Sequence, residues 1–318
     1  MTDQARLAVL TTGPVMEDVV ERQLAGRFDL VPLEALSEAN AGAVCAIATR
    51  GKVRVDEALM ARLPNLRIVG NFGVGYDTVD AVAAARRGVI VTNTPDVLNE
   101  EVADLTLGLL LATVRQIPQA DRFLRDGKWL KAAYPLGPTL RGRTVGIVGM
   151  GRIGKAIARR LEAFSVPVVY HGRRPQPDVA LTYYASLLDM ARDVSVLVVI
   201  VPGGAQTRHL VDAAVLAALG PDGILINVAR GTVVDEAALL RALEARTILA
   251  AGLDVFADEP NVPEAFFALD NAVLLPHVGS STHHTRTAMG QLVVDNILAV
   301  MDGKAPLTPV AETPWPKA

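Results

Sequence analysis

Thr144-Val145-Gly146-Ile147-Val148-Gly149-Met150-Gly151-Arg152-Ile153-Gly154-Lys155-Ala156-Ile157-Ala158 decides the fold. Its first five residues are largely β-branched and read as a buried strand. A loop with glycines at 149, 151 and 154 follows at once, and Lys155 to Leu161 continues with helical spacing. In such a turn each glycine has a mechanical task. One makes the tight turn, one lets backbone approach a pyrophosphate, and one allows helix and strand to touch. The helix N-terminus supplies amide donors and a favourable dipole for the anion. Glycines at this spacing also make plain turns, but the strand before and the helix after favour a dinucleotide site.

The next strand refines the nucleotide. An NAD-selective site places Asp or Glu at the end of that strand, to bind ribose hydroxyls. Here the sequence reads Val168-Val169-Tyr170-His171-Gly172-Arg173-Arg174. No acid stands there, and Arg173 and Arg174 do. A guanidinium clamps a 2′-phosphate and stacks on adenine. NADP(H) is therefore the favoured cofactor, with NAD(H) the alternative; a solvated basic turn is the plain reading of the same pair.

Outward from this loop, apolar runs alternate with helical patterns. Strands are expected at 144–148, 166–170, 194–201, 224–227, 249–253 and 273–275, six in all, as a sheet covered on both faces requires. Before the loop, strands are expected at 7–10, 44–48, 66–69 and 89–91, with helices at 16–25 and 80–87. A long helix starts at Asn99-Glu100-Glu101 and runs to about residue 115. The stretch 117–142 carries Pro and Gly and reads as less regular. A last helix spans 281 to about 301. This alternation predicts βαβ units and parallel sheets.

Bulk properties agree. A chain of 318 residues suggests two domains, and a net charge of −3 without a long basic run excludes charge-driven nucleic-acid binding. The longest apolar run, 105–114, is too short to span a bilayer and reads as a buried helix. Nothing at the N-terminus has the form of a signal peptide. The single cysteine, Cys45, sits in an apolar run and reads as a buried hydrophobe suited to a reducing cytoplasm. A soluble, cytoplasmic protein is expected.

Three polar residues fall just past apolar strands, where the sheet's carboxyl ends form a crevice. They are Arg230 in Ile226-Asn227-Val228-Ala229-Arg230-Gly231, Glu259 in Val255-Phe256-Ala257-Asp258-Glu259-Pro260, and His277 in Leu275-Pro276-His277-Val278-Gly279. Reduction of a 2-oxo acid needs this set. The carbonyl oxygen gains charge and needs a proton, which histidine gives near neutral pH and takes back in reverse. A glutamate favours the imidazolium, and an arginine holds the substrate carboxylate by two parallel bonds. Each residue also has a plain structural reading, as a bonded histidine, an ion-pair partner and a turn acid, and spacing alone does not choose.

The runs 227–236, 252–260 and 276–280, together with the glycine loop, Asn71-Phe72-Gly73-Val74-Gly75-Tyr76-Asp77, Asn93-Thr94-Pro95 and Glu100-Glu101-Val102-Ala103-Asp104, closely resemble the D-isomer-specific 2-hydroxyacid dehydrogenases in family order. The resemblance implies that Arg230 anchors the carboxylate, and that His277 is the acid/base paired with Glu259. It implies that backbone at Val74 and Gly75 contacts the substrate carboxylate, with nucleotide contacts at Arg152, Ile153, Thr207, Val228 and Asp254. Within the family, the arginine pair and the Val74-Gly75-Tyr76 loop resemble NADPH-dependent glyoxylate/hydroxypyruvate reductases, and a homodimer is the implied assembly. The expected fold is α/β, with two doubly wound parallel-sheet domains. A Rossmann nucleotide-binding domain (100–281) is inserted into a discontinuous flavodoxin-like substrate domain (1–99 and 282–318).

Other features carry less. His283-His284 are adjacent on a helix and share no face, so no metal site is expected. Trp129 and Tyr134 are expected to pack against the long helix; an aromatic closing a substrate pocket is the alternative. Asp96 stands where many relatives carry glycine. Competing functions are reduction of aromatic, branched or 2-ketogluconate substrates, and a non-catalytic nucleotide-sensing protein of corepressor type.

Overall fold

The computed structural model describes residues 6–315. The chain divides into two compact units, Met1–Leu98 with Thr282–Ala318, and Asn99–Ser281.

The first unit holds a five-stranded sheet of β1 (Ala8–Thr11), β2 (Asp29–Pro32), β3 (Val44–Thr49), β4 (Ile68–Asn71) and β5 (Ile90–Thr92). All neighbours are parallel, in the order β2-β1-β3-β4-β5. This is the flavodoxin-like winding. β1, β3, β4 and β5 are buried throughout. β2 escaped the sequence reading because it is an edge strand with exposed ends. Pro32 is tolerated there, since an edge needs only one ladder. The helix His283–Met301 lies on β4, where Val293 and Ile297 press against Gly70 so closely that an added Cβ would sit 3.2 Å from each. The free side of β5 is sealed by the chain's end. Val310 N–H donates to the Val91 carbonyl (2.9 Å), and Val91 N–H donates to Thr313 Oγ1 (2.8 Å).

The second unit holds seven parallel strands: β6 (Val145–Val148), β7 (Val168–His171), β8 (Thr182–Tyr184), β9 (Val196–Val199), β10 (Ile224–Asn227), β11 (Ala250–Leu253) and β12 (Ala272–Leu274). Their order is β12-β11-β10-β9-β6-β7-β8. Seven strands replace the six expected. β8, the addition, is a half-exposed edge and lacks the continuous apolar signature of its neighbours. Side chains alternate between two cores. Leu197, Val199 and Leu225 enter one, with Met190, Leu216 and Leu243. Val196, Val198, Ile224 and Ile226 enter the other, with Leu110, Ile157 and Leu161. Truncating one such fully buried residue to Ala costs about 2–5 kcal/mol.

Residues 105–114 fall in the helix Asn99–Val114 and bury most of their apolar side chains in this second core. The stretch after it corrects the reading of 117–142 as less regular. Ile117–Arg125 is a helix, because Pro118 stands in its first turn, where a missing N–H breaks nothing. Trp129 does not pack as expected; it is 66% exposed, beside Leu130 at 92%. Tyr134 instead meets Phe123 edge to face, with ring centroids 5.3 Å apart. Cys45 is buried in β3, donates to the Ala8 carbonyl, and has its thiol pKa pushed up by burial. No described helix is long and apolar enough to cross a membrane.

Candidate active site

Strand order reverses at β6, whose neighbours β7 and β9 lead off in opposite directions. The glycine loop leaves β6 at this switch point, where open α/β sheets bind ligands. Gly149 has φ +106°, and a Cβ there would lie 2.4 Å from the Ile200 carbonyl oxygen; one on Gly154 would fall 2.1 Å from the Gly149 oxygen. Both positions exclude any side chain. Gly151 is different: nothing lies within 4 Å of an added Cβ. It caps the helix Arg152–Glu162 without a side-chain bond, so the helix turns its N-terminal amides, those of Ile153 and Gly154 among them, toward the loop where an anion would sit. The loop fits a dinucleotide pyrophosphate.

Arg173 and Arg174 are exposed just beyond β7. Two tyrosines shape their turn, as Gln176 N–H donates to Tyr170 Oη (2.9 Å) and Tyr183 Oη–H donates to the Gly172 carbonyl (3.0 Å). Tyr183 lies on the unpredicted strand β8, so its part was invisible to periodicity. Thr207 follows β9, and its hydroxyl donates to the Pro202 carbonyl (2.7 Å). Val228 is buried directly after β10, and Asp254 directly after β11. Asp254 binds the next loop three times. Its carboxylate accepts from the N–H groups of Val278 (2.7 Å) and Gly279 (2.9 Å), and its carbonyl accepts from His277 N–H (2.8 Å). Burial pushes the Asp254 carboxyl pKa up, against the pull of those two amides.

The structure brings Arg230, Glu259 and His277 to one edge of this sheet. Glu259 Oε2 lies 2.7 Å from His277 Nδ1, and Oε1 accepts from Phe256 N–H at 3.0 Å. Burial alone would raise the Glu259 pKa. The hydrogen bond and charge of His277, the Phe256 amide and the charge of Arg230 outweigh it and hold the carboxyl below its ordinary value. With Nδ1 facing a carboxylate, Nε2 is the ring position left for proton exchange. The imidazole is 43% exposed, and His277 has φ +55°, a left-handed backbone that costs a non-glycine residue about 1–2 kcal/mol. Such outliers cluster at functional sites.

Arg230 and Glu259 sit on loops pressed backbone to backbone. A Cβ on Gly231 would fall 1.8 Å from the Phe256 carbonyl carbon. Buried Asn227 ties off the first loop, donating to the Arg230 carbonyl (3.1 Å) and accepting from Ala229 N–H (3.1 Å). Glu236 pins the second, accepting from Ala257 N–H at 2.7 Å. The sequence pattern assigns no role to Asn227 or Glu236. A polar residue ending an apolar strand was the available signal for the first; none marked the second. The Glu259–Pro260 peptide is cis.

Val74 and Gly75 lie in the first unit, past β4, in a partly exposed turn. Asp96 takes φ +71°, a backbone that glycine adopts freely and that aspartate tolerates better than most other residues. Among the described residues no group of three His, Cys, Asp or Glu could hold a metal ion.

The model of the D-isomer specific 2-hydroxyacid dehydrogenase NAD binding domain matches residues 107–279. The chain belongs to the D-isomer specific 2-hydroxyacid dehydrogenase family. Among these dehydrogenases it is 51% identical to a solved structure of an NADPH-dependent glyoxylate/hydroxypyruvate reductase from Sinorhizobium meliloti in complex with NADP and malonate. That match covers 99% of both chains with a TM-score of 0.93. It is 46% identical to glyoxylate/hydroxypyruvate reductase A of Arabidopsis thaliana, over 93% of this chain and 96% of that one. It is also 46% identical to hydroxyphenylpyruvate reductase of Plectranthus scutellarioides, over 85% and 86%.

Proposed function

We propose that this chain is an NADPH-preferring reductase that converts small 2-oxo acids, glyoxylate and hydroxypyruvate first among them, to D-2-hydroxy acids. The observation that carries this reading is the 2.7 Å contact of His277 with Glu259, with the charge of Arg230 acting on the same carboxylate. The second unit is the nucleotide-binding domain, and the first is the substrate domain. A bound nicotinamide supplies a hydride to the substrate's carbonyl carbon. Arg230 holds the substrate carboxylate and steadies charge on the carbonyl oxygen. His277 donates the proton from Nε2, and Glu259 keeps the ring oriented. Val74 and Gly75 offer backbone amides to the carboxylate. Gly149, Gly151 and Gly154 hold the pyrophosphate turn, Arg173 and Arg174 take the 2′-phosphate, and Arg152, Ile153, Thr207, Val228 and Asp254 complete the cofactor contacts.

The deciding experiment is a steady-state panel of glyoxylate, hydroxypyruvate, hydroxyphenylpyruvate and 2-ketogluconate with each cofactor. The highest kcat/KM is expected for one of the first two with NADPH. A higher value for an aromatic or sugar acid, or with NADH, overturns the corresponding part. Failure to oxidise NADPH with any 2-oxo acid favours the nucleotide-sensing alternative, against which the paired Glu259 and His277 argue.

The working form in this reading is a cytoplasmic homodimer. Ile117, Leu124, Trp129, Leu130 and Leu136 are all exposed within one short stretch of the second unit. Clustered exposed apolar residues of this kind mark association surfaces.

A further inference from the structure

We infer that Asn71 and Asn93 are positioning residues that turn three successive peptide groups outward as a carboxylate cradle, with the N–H of Tyr76 as a third donor beside those of Val74 and Gly75. The inference rests on the proposed reduction of 2-oxo acids and adds to it the residues that shape the carboxylate site.

Asn71 ends β4 and is 1% exposed. Its side-chain amide donates to the Gly73 carbonyl (3.1 Å) and the Gly75 carbonyl (3.0 Å). Asn93 follows β5, and its amide donates to the carbonyl between them, that of Val74 (2.8 Å). The Gly73 carbonyl also accepts from Thr94 N–H (3.0 Å). Three consecutive carbonyls are therefore drawn toward the sheet's end. These peptides are trans. In a planar trans peptide the N–H points opposite to the C=O. Fixing the carbonyls of residues 73, 74 and 75 thus fixes the N–H groups of Val74, Gly75 and Tyr76 on the other side. Among the described residues those N–H groups have no acceptor, and the turn is partly exposed. Successive outward amides make an anion-binding concavity.

Two further observations bear on the cradle, one on its charge and one on its rigidity. The guanidinium groups of Arg50 and Arg286 lie 5.8 and 5.4 Å from the ring centre of Phe72, one residue before the turn. Asn93 is itself anchored at both backbone ends, since its N–H donates to the Thr308 carbonyl (3.3 Å) and its carbonyl accepts from Thr308 Oγ1 (2.7 Å). An amide side chain is what the geometry demands, because an aspartate of the same size has no N–H to give and would repel the carbonyls it faces.

The test compares the wild type with Asn71→Asp and Asn93→Asp. Its probes are glyoxylate as substrate, oxamate as an inert 2-oxo acid analogue, and NADPH binding by fluorescence. In each variant the KM for glyoxylate and the Ki of oxamate should rise together by about tenfold, the loss of one well-placed hydrogen-bond donor to a charge. kcat should change less than about threefold, and the Kd for NADPH should stay at the wild-type value. A merely structural role would lower kcat and NADPH affinity alongside. If Asn71→Asp does not fold, Asn93→Asp, half-buried and holding one carbonyl, carries the test by itself. Variants with wild-type Ki for oxamate overturn this inference alone. A wild type that reduces no 2-oxo acid overturns the proposed function and this inference with it.

Discussion

Oε2 of Glu259 stands 2.7 Å from Nδ1 of His277, while the other carboxylate oxygen is held by the Phe256 amide. The carboxylate thus has one oxygen fixed by its own turn and one committed to the ring. Replacing His277 with Ala removes the proposed proton donor and leaves the glycine loop untouched. Turnover with glyoxylate should fall by about 10²–10⁴-fold, the usual worth of general acid catalysis. The Kd for NADPH should not move; a variant with full turnover would remove His277 from the mechanism.

The same pair sets a pH signature. The Glu259 carboxyl is held below its ordinary value in the folded chain, so it binds a proton less readily than in the unfolded one. Its contribution is present above the ordinary carboxylate range and is lost as pH falls through the lowered value. Between about pH 5 and pH 3, the Tm of the wild type should drop more steeply than that of Glu259→Gln. Parallel Tm profiles would contradict this.

Gly231→Ala should be costly although it adds one methyl group. That carbon would sit 1.8 Å from the Phe256 carbonyl carbon, so the 256–257 backbone must shift, and with it the amide that holds Glu259. Overpacking of this kind costs about 1–3 kcal/mol. Thermal unfolding should report that loss, and kcat should fall with it. Gly151→Ala, where an added Cβ meets nothing within 4 Å of protein, should leave Tm near wild type and weaken NADPH instead.

Arg173 and Arg174 should govern cofactor choice. Each charge-assisted bond to a phosphate contributes about 1.5–3 kcal/mol, or about 10–100-fold in affinity. Replacing both with Ala should reduce kcat/KM for NADPH by at least about tenfold and leave that for NADH within about threefold. Equal losses with both cofactors would return the pair to the role of a solvated turn.

Association is testable at Trp129 and Leu130. Substituting Asp for both should lower the sedimentation coefficient from that of a dimer to that of a monomer. A wild type that already sediments as a monomer rules out the dimer.

What the sequence made legible has a common physical cause. Central strands buried on both faces, such as Ile224–Asn227, must be continuously apolar, so their bounds could be read directly. Edge strands carry no such requirement, and Asp29–Pro32 and Thr182–Tyr184 passed unnoticed. The helix Ile117–Arg125 was hidden in a stretch rich in Pro and Gly, because a proline in the first turn of a helix and one in a loop look alike in isolation. At the site, the chemistry-bearing residues stood out by type. The residues that tie the loops beside them, Asn227, Glu236, Asn71 and Asn93, act through one or two side-chain hydrogen bonds to backbone, and no periodicity encodes those.

The helix His283–Met301 and the strap that seals β5 leave the ribosome after residues 99–281, yet they complete the unit whose strands are made before that stretch. Throughout synthesis of residues 99–281, the nascent N-terminal sheet waits with the apolar face at Gly70 bare and the edge at Val91 unpaired. The second unit, contiguous in sequence, is free to fold meanwhile. Translation therefore imposes an order on this protein: the half made first is finished last, and its unfinished sheet is the surface a chaperone has most reason to shield.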